Sequence, residues 1–395
     1  MSRIDDLIAR LCPDGVEHRA LGEVGEFFSG LTGKSKADFA GGNARYLAYV
    51  NIFQNESADL GRDDFVSVGE NERQTSVRRG DVLFTSSSEN LDDAGMASVV
   101  LSEPSESVYL NSFCFGFRPT VTDAMLPEFS KYLFRSAHLR RQIVRTASGV
   151  TRFNISKKRF SSIRIPVPPT EVQRGIISVL DEFSELEREL ERELAARRRQ
   201  YEHYRDALLN IDHDERDADF ARLDSVAVFR RGTVMTARSV IPGNVPVVAN
   251  GPQPIYFHNQ SNRVGETVVV ARSGAFAGAV SIWREPIFLT DAFSIHPTPG
   301  LLEPRFVFYF LQATQKALHA MKAGAGVPHV RIRDVEAYKI PIIPIGRQHR
   351  IIETLDSFDT LVNDLSIGLP AELAARRKQY EYYRDKLLTF KELAA

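Results

Sequence analysis

The chain has 395 residues, 43% of them apolar and 26% charged, with a formal net charge of −1; that length and balance fit a soluble protein of two or three domains. No overall basic field marks it for nucleic acid or an anionic membrane, so any such footprint must be local. Cys12 and Cys114 are too few and too unclustered for a disulfide framework or a thiolate metal site, which points to a reducing, cytoplasmic setting.

The opening "MSRIDDLIARLC" places acids where a signal peptide needs a basic start and an apolar run. A module follows with β-rich patterning. It contains "RALGEVGEFFSGLT" from Arg19, a strand-like run after a glycine ("GDVLFTSS" from Gly80) and a proline-started helix with an aromatic stripe ("LPEFSKYLFRS" from Leu126). "SGLTGKS" (Ser29–Ser35) invites a phosphate-loop reading, but the glycine required four residues before Gly-Lys-Ser is missing, so it reads as a turn after a strand.

Next comes "IPVPPTEVQRGIISVLDEF" from Ile165. Thr170 after a double proline, with Gln173 three positions on, reads as an N-cap with a capping box. Apolar residues at Ile176, Leu180, Phe183, Leu186 (or its neighbour Glu187), Leu190, Leu194, Tyr201, Tyr204 and Leu208 trace one stripe. About 40 residues at this spacing make a helix of roughly 60 Å. "DHDE" (Asp212–Glu215) reads as an acidic linker rather than a metal site, and the nine histidines show no ligand spacing.

The pattern then starts again. "ARLDSVAVFRRGTV" from Ala221, "GETVVVAR" from Gly265 and "EPRFVFYFLQA" from Glu303 echo the first module. The most apolar window, "TVVVARSGAFAGAVSIW", is cut by Arg272 and several glycines, so nothing in it suits a membrane span. "IPIIPIGRQHRIIETLDSF" begins at Ile340, 175 residues after its counterpart. "LAARRKQYEYYRDKLL" (Leu373–Leu388) matches "LAARRRQYEHYRDALL" (Leu194–Leu209) at 13 of 16 positions, now at an offset of 179. Four extra residues therefore lie within "SIGLP" (Ser366–Pro370), about 1.1 turns of helix, and Pro370 should kink or break the helix there with Gly368 allowing the bend. The second stripe runs through Ile351, Leu355, Phe358, Leu361, Leu365, Leu373, Tyr380, Tyr383 and Leu387. Each helix is acidic early and basic late, so antiparallel pairing sets acid against base.

Divergent module, preserved helix, divergent module, preserved helix: this arrangement, with "LCPDGVEHRALGEVGEF" and the helix motifs quoted above, resembles the specificity subunits of type I restriction–modification systems over essentially the whole chain. The resemblance implies an α+β protein with a pseudo-twofold internal repeat. Two β-rich, mixed α/β target-recognition domains (1–165 and 211–345) would be joined by two long spacer helices (166–210 and 346–395) packed as an antiparallel coiled coil. It implies binding of a split double-stranded DNA site in adjacent major grooves, docking of two modification (methyltransferase) subunits, and a complex that restriction subunits join. It also implies no catalysis in this chain, with S-adenosylmethionine, ATP and Mg²⁺ on the partners and no membrane. The first helix lacks the "GLP" interruption of the second, a departure that bears on how alike the two docking faces are.

Polar and basic loops near glycine are where backbone approaches a groove. They give the candidate DNA contacts Lys34, Lys36, Ser86, Ser87, Ser88, Asn90, Arg152, Asn154, Lys157 and Lys158 in the first module. In the second they are Arg272, Ser273, His329, Arg331 and Arg333. The repeated helix segments give Arg198, Arg205, Arg377 and Arg384 as candidate contacts with the modification subunits, pointing partly away from the paired stripe. Two other classes stay open: a self-contained DNA methyltransferase or nuclease, which the absent cofactor and nuclease motifs disfavour, and a structural coiled-coil adaptor, for which two divergent modules are more than is needed.

Overall fold

The structure, a computed structural model, describes residues 2–121, 124–211, 219–320, 328–364 and 366–393. The linker reading at Asp212–Glu215, stripe residue Leu365 and the first half of "KAGAGVPHVRIR" (322–327 of 322–333) lie outside the described residues. The chain divides into two compact units: Met1–Glu189 with Ala374–Ala395, and Leu190–Leu373.

In the first unit the strands are β1 (His18–Ala20), β2 (Gly25–Ser29), β3 (Ala44–Leu47), β4 (Phe65–Val66), β5 (Val82–Thr85), β6 (Ser87–Ser88), β7 (Ala97–Val99), β8 (Val108–Leu110), β9 (Cys114–Pro119), β10 (Ala147–Ser148), β11 (Phe153–Ile155) and β12 (Arg164–Pro166). In the second they are β13 (Asp219–Arg222), β14 (Ala227–Arg231), β15 (Val245–Val248), β16 (Tyr256–His258), β17 (Thr267–Ala271), β18 (Val280–Trp283), β19 (Phe288–Leu289), β20 (Ala292–Pro297) and β21 (Lys339–Ile342). The sheets repeat. The order β2-β9-β5-β7 matches β14-β20-β17-β18, β4-β3-β8 matches β16-β15-β19, and β1-β12 matches β13-β21.

The four-stranded sheets explain why "VLFT" and "TVVVA" are continuously apolar. Side chains alternate between faces along a strand, and here each face is covered. Val82 and Phe84 enter a core built with Phe129, Tyr132 and Ile176, while Leu83 between them enters a separate core with Leu47, Val108 and Leu110. In the second unit Val268 and Val270 face the helices and Val269 joins Val248 and Leu289. Gly80 and Gly265, with φ of 92° and 72°, turn the chain into these strands through the left-handed region that glycine enters most readily.

Helix Thr170–Leu209 is continuous for 40 residues and contributes to both units. Its companion is broken, as Pro370 and Gly368 require, into Ile345–Asn363 and Leu369–Leu387. Asp364 closes the break by accepting from Ser366 N at 2.7 Å and Ile367 N at 3.3 Å. Gly368 lies so close that a Cβ would stand 2.4 Å from the Thr360 carbonyl oxygen.

The pairing is antiparallel within each unit. In the first, Phe183 stacks on Tyr383 at 5.5 Å and Glu187 accepts from Arg377 at 2.6 Å, numbers rising on one helix as they fall on the other. In the second, Tyr204 stacks on Phe358 at 5.5 Å. At the ambiguous stripe position it is Glu187 that faces inward, and Leu186 is exposed.

The capping box at Gln173 does not form. Gln173 is instead fully buried: its amide donates to the Ala124 and Pro168 carbonyls at 3.0 and 2.9 Å, and its oxygen accepts from Leu126 N at 2.8 Å. Gln348 repeats this with Leu301, Ile343 and Glu303. A second repeated tie joins module to helix, Tyr132 and Lys131 to Asp181, and Tyr309 and Arg305 to Asp356. Burial, then the adjacent carboxylate, pushes both tyrosine phenols well up.

Candidate nucleic-acid interface

The strand register sets corresponding positions in the two modules. Phe115 opposes both Ser29 and Phe84, and Phe293 opposes both Arg231 and Val270. One step beyond β5 and β17 therefore stand Ser86 and Arg272, then Ser87 and Ser273. Ile155 N donates to the Ser86 carbonyl and Val330 N to the Arg272 carbonyl, each at 2.9 Å, so Asn154 corresponds to His329. The residues before β9 and β20 are Phe113 and Asp291, and those just past β3 and β15 are Tyr49 and Asn250. Four chain segments thus converge at one end of each sheet.

The frame is the same and the chemistry differs. In the first module Tyr49 Oη donates to the Ser87 carbonyl at 2.8 Å, Arg152 Nε donates to Ser87 Oγ at 3.1 Å, and the Arg152 guanidinium lies 5.5 Å over the exposed Phe113 ring. In the second, Asn250 Oδ1 accepts from Arg272 N at 2.7 Å and Ser273 N at 3.1 Å, and its amide donates to Asp291 at 2.7 Å. Arg272 donates to Asp291 at 2.5 Å. Among the described residues Asp291 is the one non-glycine with positive φ, 36°. These groups open onto a cleft of about 1210 Å³ whose lining includes Arg231, Arg272, His329, Arg331, Arg333 and Asp291, a surplus of positive charge suited to a polyanion.

The sequence candidates fall into three sets. Ser86, Ser88, Arg152 and Asn154 gather at the end of the first sheet, where Ser87 is a correction, being buried at 4% exposure under Arg152. Arg272, Ser273, His329, Arg331 and Arg333 gather at the cleft of the second. Lys157 reaches Ser29 Oγ at 2.9 Å, and Lys36 and Lys158 are exposed. Asn90 caps its own turn, accepting from Asp92 N. Lys34 is a correction. Its side chain is only 6% exposed because the ammonium donates to the Ser67 carbonyl and Glu72, which, with further bonds from Gln74 and Gly69 N, hold the Glu72 carboxyl down to about 2. That charge is held inside the module. Tyr49, Asn250, Phe113 and Asp291 were not among the sequence candidates. The one local signal for the last two is their place directly before the apolar runs "CFGF" and "AFSI".

The partner candidates also need correction. Arg205 and Arg384 do not point outward: each side chain is 15% exposed, lies over the tyrosine four residues earlier at 5.8 and 5.6 Å, and pairs with the next aspartate. Arg377 is engaged with Glu187 across the helix pair, and Arg198 is exposed.

A family model described as the type I restriction modification DNA specificity domain matches residues 13–196 and 216–375. A Haemophilus influenzae protein carrying the name of a type I restriction enzyme specificity subunit is 29% identical over 266 residues, 62% of this chain and 68% of that protein. The specificity subunit of an Escherichia coli type I restriction enzyme is 27% identical over 262 residues, 58% of this chain and 64% of the relative. Among solved structures, one from work on assembly and conformational transition of the type I restriction–modification system has a TM-score of 0.65 at 19% identity, covering 95% of this chain and 98% of that one. The S subunit from M. genitalium has a TM-score of 0.57 at 15% identity, covering 94% and 96%. With the repeated sheets, the paired helices and two family matches that together span most of its length, the chain belongs to the type I restriction–modification DNA specificity family.

Proposed function

We propose that this chain is the non-catalytic, sequence-reading subunit of a type I restriction–modification complex in the cytoplasm, each module contacting one part of a bipartite duplex site. Two modification subunits dock on the repeated helix segments and restriction subunits join them, with S-adenosylmethionine, ATP and Mg²⁺ held by those partners. One observation carries this reading: three sheets of matching strand order and register in both modules, with different residues at the corresponding sheet-end positions (Tyr49 and Asn250, Ser86 and Arg272, Phe113 and Asp291, Asn154 and His329). A constant frame with divergent groups is what reading two different sequences demands. Exposed Lys36, Lys157 and Lys158 supply phosphate contacts, and the near-neutral net charge fits if partners provide many of the rest.

Module exchange tests it. Residues 13–160 are replaced by the module of a relative, the complex is reconstituted with its modification subunits, and methylated motifs are mapped by long-read sequencing. One half of the motif should change and the other persist. A change in both halves, or methylation without a bipartite motif, would overturn the reading.

A further inference from the structure

Each module presents one clamped arginine at this end of its sheet, and the two modules reach that result by different chemistry. Arg272 follows β17 and is held by a carboxylate; Arg152 precedes β11 and is held by a serine oxygen and an aromatic face. The holding groups Asp291 and Phe113 occupy the same slot, immediately before β20 and β9.

Resting on the proposed function, we propose that Arg152 and Arg272 each read a guanine, and that Phe113 and Asp291 are positioning residues for their guanidinium planes. Guanine shows two acceptors, O6 and N7, on its major-groove edge, and the arginine fork matches both. Adenine offers a donor there, which arginine cannot meet. Arg272 uses one side-chain donor on Asp291 and Arg152 uses Nε on Ser87, so each retains two or more N–H groups for a bidentate contact.

A phosphate contact explains the geometry less well. Phosphate accepts charge from many directions, and the unclamped Lys158 already serves that purpose. Asp291 partly neutralises Arg272, which weakens attraction to a polyanion while fixing direction. Fixing a long side chain beforehand also lowers the ordering cost of binding. The clamp is itself constrained: Asp291 holds φ of 36°, a region costly for a residue with a Cβ, and Asn250 pins its carboxylate at 2.7 Å. Such backbone, maintained by its surroundings, is characteristic of binding sites.

The test uses the full chain reconstituted with its modification subunits, on duplexes differing at one base pair and over a salt series. Arg272→Ala and Arg272→Lys should each lose discrimination by roughly 5- to 150-fold at one G·C position in one half-site. Arg152→Ala and Arg152→Lys should do so at one G·C position in the other half. Asp291→Asn and Phe113→Leu should lose part of the same discrimination at the same positions. All six changes are at exposed residues, and circular dichroism checks that each variant is folded. Lysine variants that keep discrimination, a change at an A·T pair, or an equal loss on all sequences with the salt slope reduced by about 1 would each overturn the proposal. A wild-type complex without a bipartite motif would overturn the broader reading and this one with it.

Discussion

Gln173 and Gln348 show how much a single buried amide does in this fold. Each makes three bonds to backbone groups of the segment that precedes a proline-started helix and of its own helix entry, with no exposure to water. Gln173→Met or Gln348→Met keeps the volume and strands a buried N–H and two carbonyls. Each should cost about 2–4 kcal/mol, measured by denaturant unfolding, with hydrogen exchange rising first in the unit that carries the change. A loss below about 0.5 kcal/mol would mean that these bonds are replaced by water. Their role was not legible in the sequence, where "TEVQ" has the spacing of a capping box. The competing partners, Ala124 and Leu126, lie nearly fifty residues upstream and only tertiary folding brings them near.

At the scale of elements, the helices were the most legible part. Stripe spacing, Pro370 and the four-residue offset are local signals that placed the long helix and its broken companion, and the charge gradient along each helix gave their opposed direction. What the stripe could not reveal is which charges pair where. Asp181 and Asp356, set by the charge pattern against basic ends of the other helix, bind tyrosines and cations of their own modules instead. Glu187 and Arg377 do pair across helices, so reversing either charge should destabilise the first unit by about 0.3–1 kcal/mol and reversing both should recover most of it. A thermal double-mutant cycle reads this directly; additive losses would assign Arg377 to the docking surface. Charge reversal at Arg384 or Arg205 should perturb packing over Tyr380 or Tyr201, so any loss of subunit binding in such variants must be read against their unfolding curves.

For the molecule as a whole, the internal repeat was legible from sixteen residues written twice, whereas the clefts were only half so. Arg152 and Arg272 stood in recognisable polar loops. Their companions converge from strand ends far apart in sequence, and the strand register had to be known before Phe113 and Asp291 could be seen as one position. The uninterrupted helix Thr170–Leu209 enters both units. Inserting one turn between residues 190 and 194 should therefore change the number of unspecified bases in the methylated motif while both halves stay intact; an unchanged gap in the sequenced motif would refute its role as a ruler. The slot before β9 and β20 has a further consequence. Phe113 and Asp291 are exposed, and the strand that starts one residue later is buried. If these residues position the readers as proposed, a point mutation in that codon would alter the reader while leaving the buried strand in place, so target preference would be free to drift under selection in a lineage whose protein keeps folding at every step.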